Sequence, residues 1–185
     1  MHTRTRIVLL MHPMELRYQK CTAGRLTCLN LANSEIVPGV SFDGNARVRS
    51  LIDDPRNYPV LLYPGEGAMR IRGGGFPASA PCERRLVVFL IDATWHCSRK
   101  IVRESPSLMR LPRLTIEPSA PSRFIIKRQP AAWCLSTIEA AGLDVYPDKN
   151  RLLDAFDAMQ DFQIRQTAKA AVRFSHHVRG LREPL

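Results

Sequence analysis

The chain has 185 residues, 45% of them hydrophobic and 24% charged, a balance that suits one folded domain and excludes disordered and fibrous classes. Its 27 Lys and Arg outnumber 17 Asp and Glu, and the formal net charge of +10 points to a polyanionic partner, because neutralising phosphates releases their counterions. Nucleic acid leads among such partners and an anionic membrane surface trails.

In chain order, "RIVLLM" at 6 to 11 predicts a first strand. Its six apolar residues, enclosed by Arg4, Arg6 and His12, are too few for a signal-peptide core or a membrane span, so a cytoplasmic protein is expected. "HPMEL" then turns toward a helix over about 14 to 31, which Gly24 can divide into two shorter ones. A loop rich in Ser, Pro, Gly and Asp leads to a short helix through "NARVRSLIDD", stopped by Pro55. "YPVLLYPGEGA" predicts a second buried strand entering a Pro-Gly loop. After "IRGGGFPASAP", read as a glycine and proline segment, "RRLVVFLID" is an unbroken apolar run of the kind a central parallel strand shows.

"TWHCSRKIVRES" has helical spacing and ends near Pro106, while "RLTIEP" and "RFIIKR" are short strand candidates. "LSTIEAAGLDV" predicts another helix start, followed by a long amphipathic helix over 149 to 173 with Leu152, Leu153, Phe156, Met159 and Ile164 on its buried face. The basic tail 174–185 is expected to be loosely held. Strands alternating with helices predict a single α/β domain over 1–185, with one open, mostly parallel sheet flanked by helices. The cysteines Cys21, Cys28, Cys82, Cys97 and Cys134 form an odd set without a C-x-x-C pair, so neither a disulfide framework nor a bound metal is expected.

Ligands of open α/β sheets sit outside the carboxyl ends of the strands, where "YPGEGA", "DATW" and the approach to "LSTIEA" all fall. Asp92 closes the central strand. It either caps the following helix or serves a reaction centre as a partly desolvated carboxylate, and residue types alone leave both open. Trp95 is either core or one wall of a site for a planar ring. His96, Arg99, Lys100 and Arg103 share one helix face, either a solvated surface or a phosphate-tracking stripe. Gly65 and Gly67 make a turn or let a backbone approach a ligand, since no phosphate-loop or dinucleotide fingerprint is present. Ser136 or Thr137 with Glu139 resembles a capping arrangement, and Arg123, Lys127 and Arg128 add charge nearby.

Taken together, "LLMHPMELR" with "TAGRL", "VLLYPGEGA", "FLIDATWHCSRKI" and "KRQPAAWCLSTIEA" resemble the DTW-domain family of RNA uridine aminocarboxypropyltransferases, in the expected order over about 9 to 141. The resemblance implies a SPOUT-like fold with a knotted ligand-binding region and S-adenosylmethionine as donor. It also implies transfer of the 3-amino-3-carboxypropyl group to N3 of a uridine in tRNA, with release of methylthioadenosine. Asp92, Thr94 and Trp95 match the D-x-T-W signature, and Asp92 is the implied catalytic acid-base group.

By position, Leu62, Tyr63, Pro64, Gly65, Thr94, Trp95, Leu135, Ser136, Thr137 and Glu139 are nominated for the donor pocket. Arg25, Arg99, Lys100, Arg103, Lys127 and Arg128 are nominated for RNA contact. The same transfer on ribosomal RNA, a related RNA methyltransferase and a non-catalytic RNA-binding module are the alternatives. Two departures from the family pattern stand out: no cysteine cluster precedes the HPME segment, and Cys21 falls where an Asn is expected before the glycine.

Overall fold

Every side chain from Ile7 to Met11 is buried, as only a strand covered on both faces allows. A computed structural model of the protein describes residues 1–3, 5–17, 20–72, 84–126, 134–142 and 149–180, with side chains of the last helix described over 150–169. The elements run β1 (Arg6–Met11), α1 (Pro13–Arg17), α2 (Ala23–Asn30), β2 (Ser34–Pro38), α3 (Ala46–Asp53), β3 (Asn57–Leu62) and β4 (Met69–Arg72). They continue with β5 (Arg85–Asp92), α4 (Trp95–Glu104), α5 (Pro106–Met109), β6 (Arg113–Glu117), α6 (Thr137–Gly142) and α7 (Lys149–Gly180).

One six-stranded sheet has the order β2-β1-β5-β3-β6-β4, and each pair of neighbours is parallel. The apolar run "RLVVFLID" lies at the centre between β1 and β3, as its lack of alternation requires. Successive side chains of a strand point to opposite faces, so Ile7, Leu9, Val88 and Leu90 pack on one side with Ile138, Leu152 and Phe156. Val8, Leu10, Val87 and Phe89 pack on the other with Phe42, Val48, Ile101 and Leu108. The register pairs Met11 with Asp92 and Leu62 with both Leu90 and Leu114. These pairs bring the carboxyl ends of β1, β5 and β3 to one edge of the molecule, beside the start of β6.

Several sequence expectations are corrected. The 14 to 31 stretch forms the two shorter helices, α1 and α2, as the divided alternative has it, but Gly24 sits in the first turn of the second and does not separate them. β2 and β4 occupy segments read as loops; both end strands are short, and β2 terminates in Pro38, so neither has an apolar run to announce it. "RFIIKR" forms no strand over 123–126, and Lys127 and Arg128 lie outside the described residues. Ile164 is exposed because α7 has passed the edge of the core there, and the helical backbone continues into the expected tail as far as Gly180. Among the described residues no helix is long and apolar enough to cross a membrane.

β2 is fastened by charge. Arg6 Nε on β1 donates to Glu35 Oε1 at 2.9 Å, and Arg47 on α3 donates to both carboxylate oxygens at 2.8 and 3.1 Å. Burial alone raises the Glu35 carboxyl, but hydrogen bonds from Arg47 and Arg6 outweigh it and hold the group below the usual glutamate range. A carboxylate depressed in the folded state contributes stability that is present above its unfolded value and lost as pH falls through the folded one. Glu35→Gln is therefore expected to lower the unfolding free energy by about 1 kcal/mol at neutral pH, since the partly exposed pairs are screened. The gap to wild type should close below the ordinary glutamate range, as urea unfolding at neutral pH and near pH 3 will measure.

Candidate active site

Asp92 ends β5 with only 8% of its surface exposed. Thr137 Oγ1, at the first position of α6, donates to Asp92 Oδ1 at 2.6 Å, and the backbone N–H of His12 donates to the Asp92 carbonyl at 3.0 Å. The first turn of α2 closes over the carboxylate at Gly24, where an added Cβ would stand 2.6 Å from Asp92 Cγ. A side chain at that place would exclude the carboxylate from its position.

The helix cap belongs to another residue. Thr94 has an extended backbone and its hydroxyl accepts from the Cys97 N–H at 3.3 Å, so Thr94 starts α4 and the Asp92 carboxylate is engaged elsewhere. Trp95, 39% exposed, follows at the first helical position.

These groups border a cavity of about 540 Å³ at the carboxyl edge of the sheet, within the roughly 300–1,000 Å³ usual for small-molecule sites. Of the nominated residues, Asp92, Thr94 and Trp95 line it together with Leu62, Tyr63 and Pro64 from the end of β3. Leu135, Ser136 and Thr137 line it from the start of α6. Three separate stretches of sequence thus converge on one space.

Gly65 and Glu139 are not among the lining residues. Gly65 and Gly67 adopt φ of +146° and +75°, and Arg113 secures their turn by donating to the Glu66 carbonyl, which is the turn reading of "YPGEGA". Glu139 is buried and accepts from the Ser136 N–H at 2.9 Å and the Ser136 hydroxyl at 2.6 Å, the reciprocal half of a capping box. It also accepts from the Ser122 hydroxyl and the Arg123 N–H, both at 2.6 Å. Gln160, 1% exposed on α7, completes the clamp by accepting from the Ile125 N–H at 2.7 Å and donating to the Arg123 carbonyl at 3.0 Å. Phe124 is thereby held against Phe156, ring centroids 5.2 Å apart, and Phe124 and Ile126 become a cavity wall.

Glu139→Gln turns half of that acceptor into a donor facing donors. It is expected to cost about 1–3 kcal/mol. At about 2–4 °C per kcal/mol for a domain of this size, the loss should register in thermal unfolding.

The nominated cations divide. Arg99, Lys100 and Arg103 are exposed on α4, Arg103 beside Glu104 at 3.2 Å. Arg25 is turned inward and donates to the Leu16 carbonyl, tying α2 to α1. Lys127 and Arg128 lie outside the described residues. Glu15, Lys20, Thr22 and Gln163, which were not nominated for the site, also border the cavity, as does Met159, expected on the buried face of the last helix. Gln163 Nε2 donates to the Cys21 carbonyl at 2.9 Å, so α7 supports the Cys21–Thr22 rim as well as the 123–125 strap.

A family described as "DTW domain" matches residues 1–164. Three similar proteins carry the name tRNA-uridine aminocarboxypropyltransferase 2. The one from Drosophila melanogaster is 30% identical over 141 residues, covering 74% of this chain and 53% of that protein. The one from Macaca fascicularis is 26% identical over 184 residues, covering 95% and 60%, and the one from Mus musculus is 32% identical over 117 residues, covering 60% and 38%. The chain therefore spans roughly half the length of the curated relatives it matches. No solved structure matches it.

Proposed function

The chain belongs to the DTW-domain family, and on that footing we propose that it transfers the 3-amino-3-carboxypropyl group of S-adenosylmethionine to N3 of a uridine in tRNA. The observation that carries this reading is the placement of Asp92. It is a buried carboxylate fixed by Thr137 and bordering a cavity of small-molecule size in a protein of net charge +10. The names of the similar proteins support the tRNA substrate and the group transferred.

When bound, S-adenosylmethionine supplies a sulfonium whose aminocarboxypropyl carbon is electrophilic. The residues of the chain do the rest. Asp92 accepts the N3 proton of the uridine as the N–C bond forms; the C–S bond breaks, its electron pair stays on sulfur, and methylthioadenosine leaves uncharged. Thr137 and the glycine contact at Gly24 hold the carboxylate in one place, so less orientation is lost at the moment of reaction. The wall formed by Leu114, Ile116, Phe124 and Met159 excludes water and suits the adenosine. Exposed Arg99, Lys100 and Arg103 on α4, which begins at the cavity, provide phosphate contacts for the RNA. A uridine turned out of its stack presents N3, which a Watson–Crick pair would hide. The SPOUT-like class, the knotted ligand region and a cytoplasmic location belong to the same reading.

The test is nucleoside mass spectrometry of separated tRNA and ribosomal RNA fractions after incubation with protein and S-adenosylmethionine. An aminocarboxypropyl uridine confined to tRNA, absent with Asp92→Asn, is the expected result. Product in ribosomal RNA alone would replace the substrate class, and no product in either would overturn the proposal.

A further inference from the structure

α7 outruns the body it packs on. Its first half is held by Leu152, Phe156 and Gln160, all buried, and by Gln163, which donates to the Cys21 carbonyl at 2.9 Å. From Ile164 to Lys169 every side chain is exposed. Six consecutive residues pass more than a full helical turn, so no described element covers any side of the helix there. The backbone stays helical to Gly180, about 25 Å beyond Gln163.

Charge changes sign where the packing stops. Residues 149–163 set Lys149 and Arg151 against Asp154, Asp157 and Asp161, whereas residues 164–180 hold Arg165, Lys169, Arg173 and Arg179 and no acid. Cations at the end of a helix answer its dipole, but that effect falls off within the last turn. Arg165 and Lys169 stand about 22 and 16 Å from Gly180, so the dipole does not account for them. They are also four residues apart, a spacing at which like charges oppose the helix. A polyanion laid along the helix turns that repulsion into attraction.

The sheet sets this segment opposite the other exposed cations of the site. α4 packs through Ile101 on the face that holds Phe42 and Val48, and α7 packs through Leu152 and Phe156 on the face that holds Ile138. Both helices border the cavity, α4 at Trp95 and Ser98, α7 at Met159 and Gln163. In each, exposed cations follow the bordering residues within about two turns: Arg99, Lys100 and Arg103 on α4, Arg165 and Lys169 on α7.

We infer that residues 164–180 of α7 are an RNA-contact projection which, with α4 on the opposite face of the sheet, grips the tRNA backbone from the second side of the cavity mouth. The inference rests on the proposed tRNA substrate and adds a contact surface that begins where the family match ends, at residue 164.

Two double variants test it. Arg165→Gln with Lys169→Gln removes two exposed cations from the projection. Arg49→Gln with Arg85→Gln removes the same charge from exposed positions on α3 and at the start of β5, the strand end away from the cavity. tRNA binding is followed by fluorescence anisotropy over a salt series, with S-adenosylmethionine affinity and thermal unfolding measured alongside. The projection variant is expected to bind tRNA about tenfold or more weakly near physiological salt and to reduce the salt slope by about 1.5 to 2, with donor affinity and unfolding unchanged. Equal weakening by both double variants, or none by the projection variant, would overturn the inference while leaving the proposed reaction standing. The expected weakening in a protein that forms no modified uridine would overturn the reaction and leave the projection. A wild-type protein without affinity for tRNA would overturn both. Retention on phosphatidylglycerol vesicles, or a dimer that the projection variant splits, would then give the segment to a membrane surface or a second copy.

Discussion

Asp92→Asn is expected to slow transfer by about 10²–10⁴-fold, the range that a positioned general base contributes. Asparagine keeps the volume at a site only 8% exposed, and its carbonyl oxygen can still accept from Thr137 Oγ1, the donor 2.6 Å from the aspartate. What it loses is the capacity to take a proton. The fold and adenosine binding should persist, so the loss appears in the single-turnover rate at saturating donor and not in the unfolding curve. A rate within about threefold of wild type would remove Asp92 from the proton transfer. Asp92→Ala is the less informative change, because it also leaves Thr137 without its acceptor.

Gly24→Ala carries the second large effect, and two opposing magnitudes decide its sign. Alanine is favoured over glycine within a helix by about 1 kcal/mol. Against this, the new Cβ would stand 2.6 Å from Asp92 Cγ and 3.0 Å from Met11 Cε, so the carboxylate must shift from its place. Met11 is wholly buried, and α2 is anchored at its start by the Thr22 hydroxyl, which accepts from the Arg25 N–H at 3.3 Å. Overpacking of this kind costs about 1–3 kcal/mol, so the net expectation is destabilisation together with a displaced carboxylate and a collapse of activity. Gly44→Ala is the control, since nothing lies within 4 Å of a Cβ there. Unfolding in urea and transfer assays on both variants will measure the difference; a Gly24→Ala protein as active as the Gly44→Ala protein would contradict the packing account.

The centre of the sheet was legible because burial on both faces leaves a continuous apolar run, as in "RIVLLM" and "RLVVFLID". Its rim was not. β2 carries Glu35, whose two arginine partners come from β1 and α3, and β4 has the alternating sequence "MRIR" over only four residues. At the site, the meeting of "YPGEGA" and "DATW" followed from strand ends; "LSTIEA" joins them although "RFIIKR" forms no strand over 123–126, and the structure brings Leu62, Asp92 and Thr137 to one cavity.

The division of labour inside those stretches depends on partners distant in sequence. Whether Asp92 or Thr94 caps α4 was undecidable until Thr137, 45 residues away, was seen to occupy the Asp92 carboxylate. Glu139 looked like a pocket residue because its strap partners, Ser122 and Arg123, lie 17 and 16 residues upstream in an irregular segment. Glu15 lies in the quoted "HPMELR" stretch, yet nothing in the residue itself announced its burial, since a glutamate on a short helix is ordinarily solvated, and only the adjacency of β1 and β5 carries it to the cavity.

Isotope placement decides whether this cavity directs the aminocarboxypropyl carbon and not the methyl toward RNA. Two preparations of S-adenosylmethionine, one labelled in the aminocarboxypropyl arm and one in the methyl group, are each incubated with the protein and tRNA. The arm label is expected to enter the tRNA uridine and the methyl label to leave with methylthioadenosine. Methyl label in the RNA, with S-adenosylhomocysteine as the co-product, would contradict it.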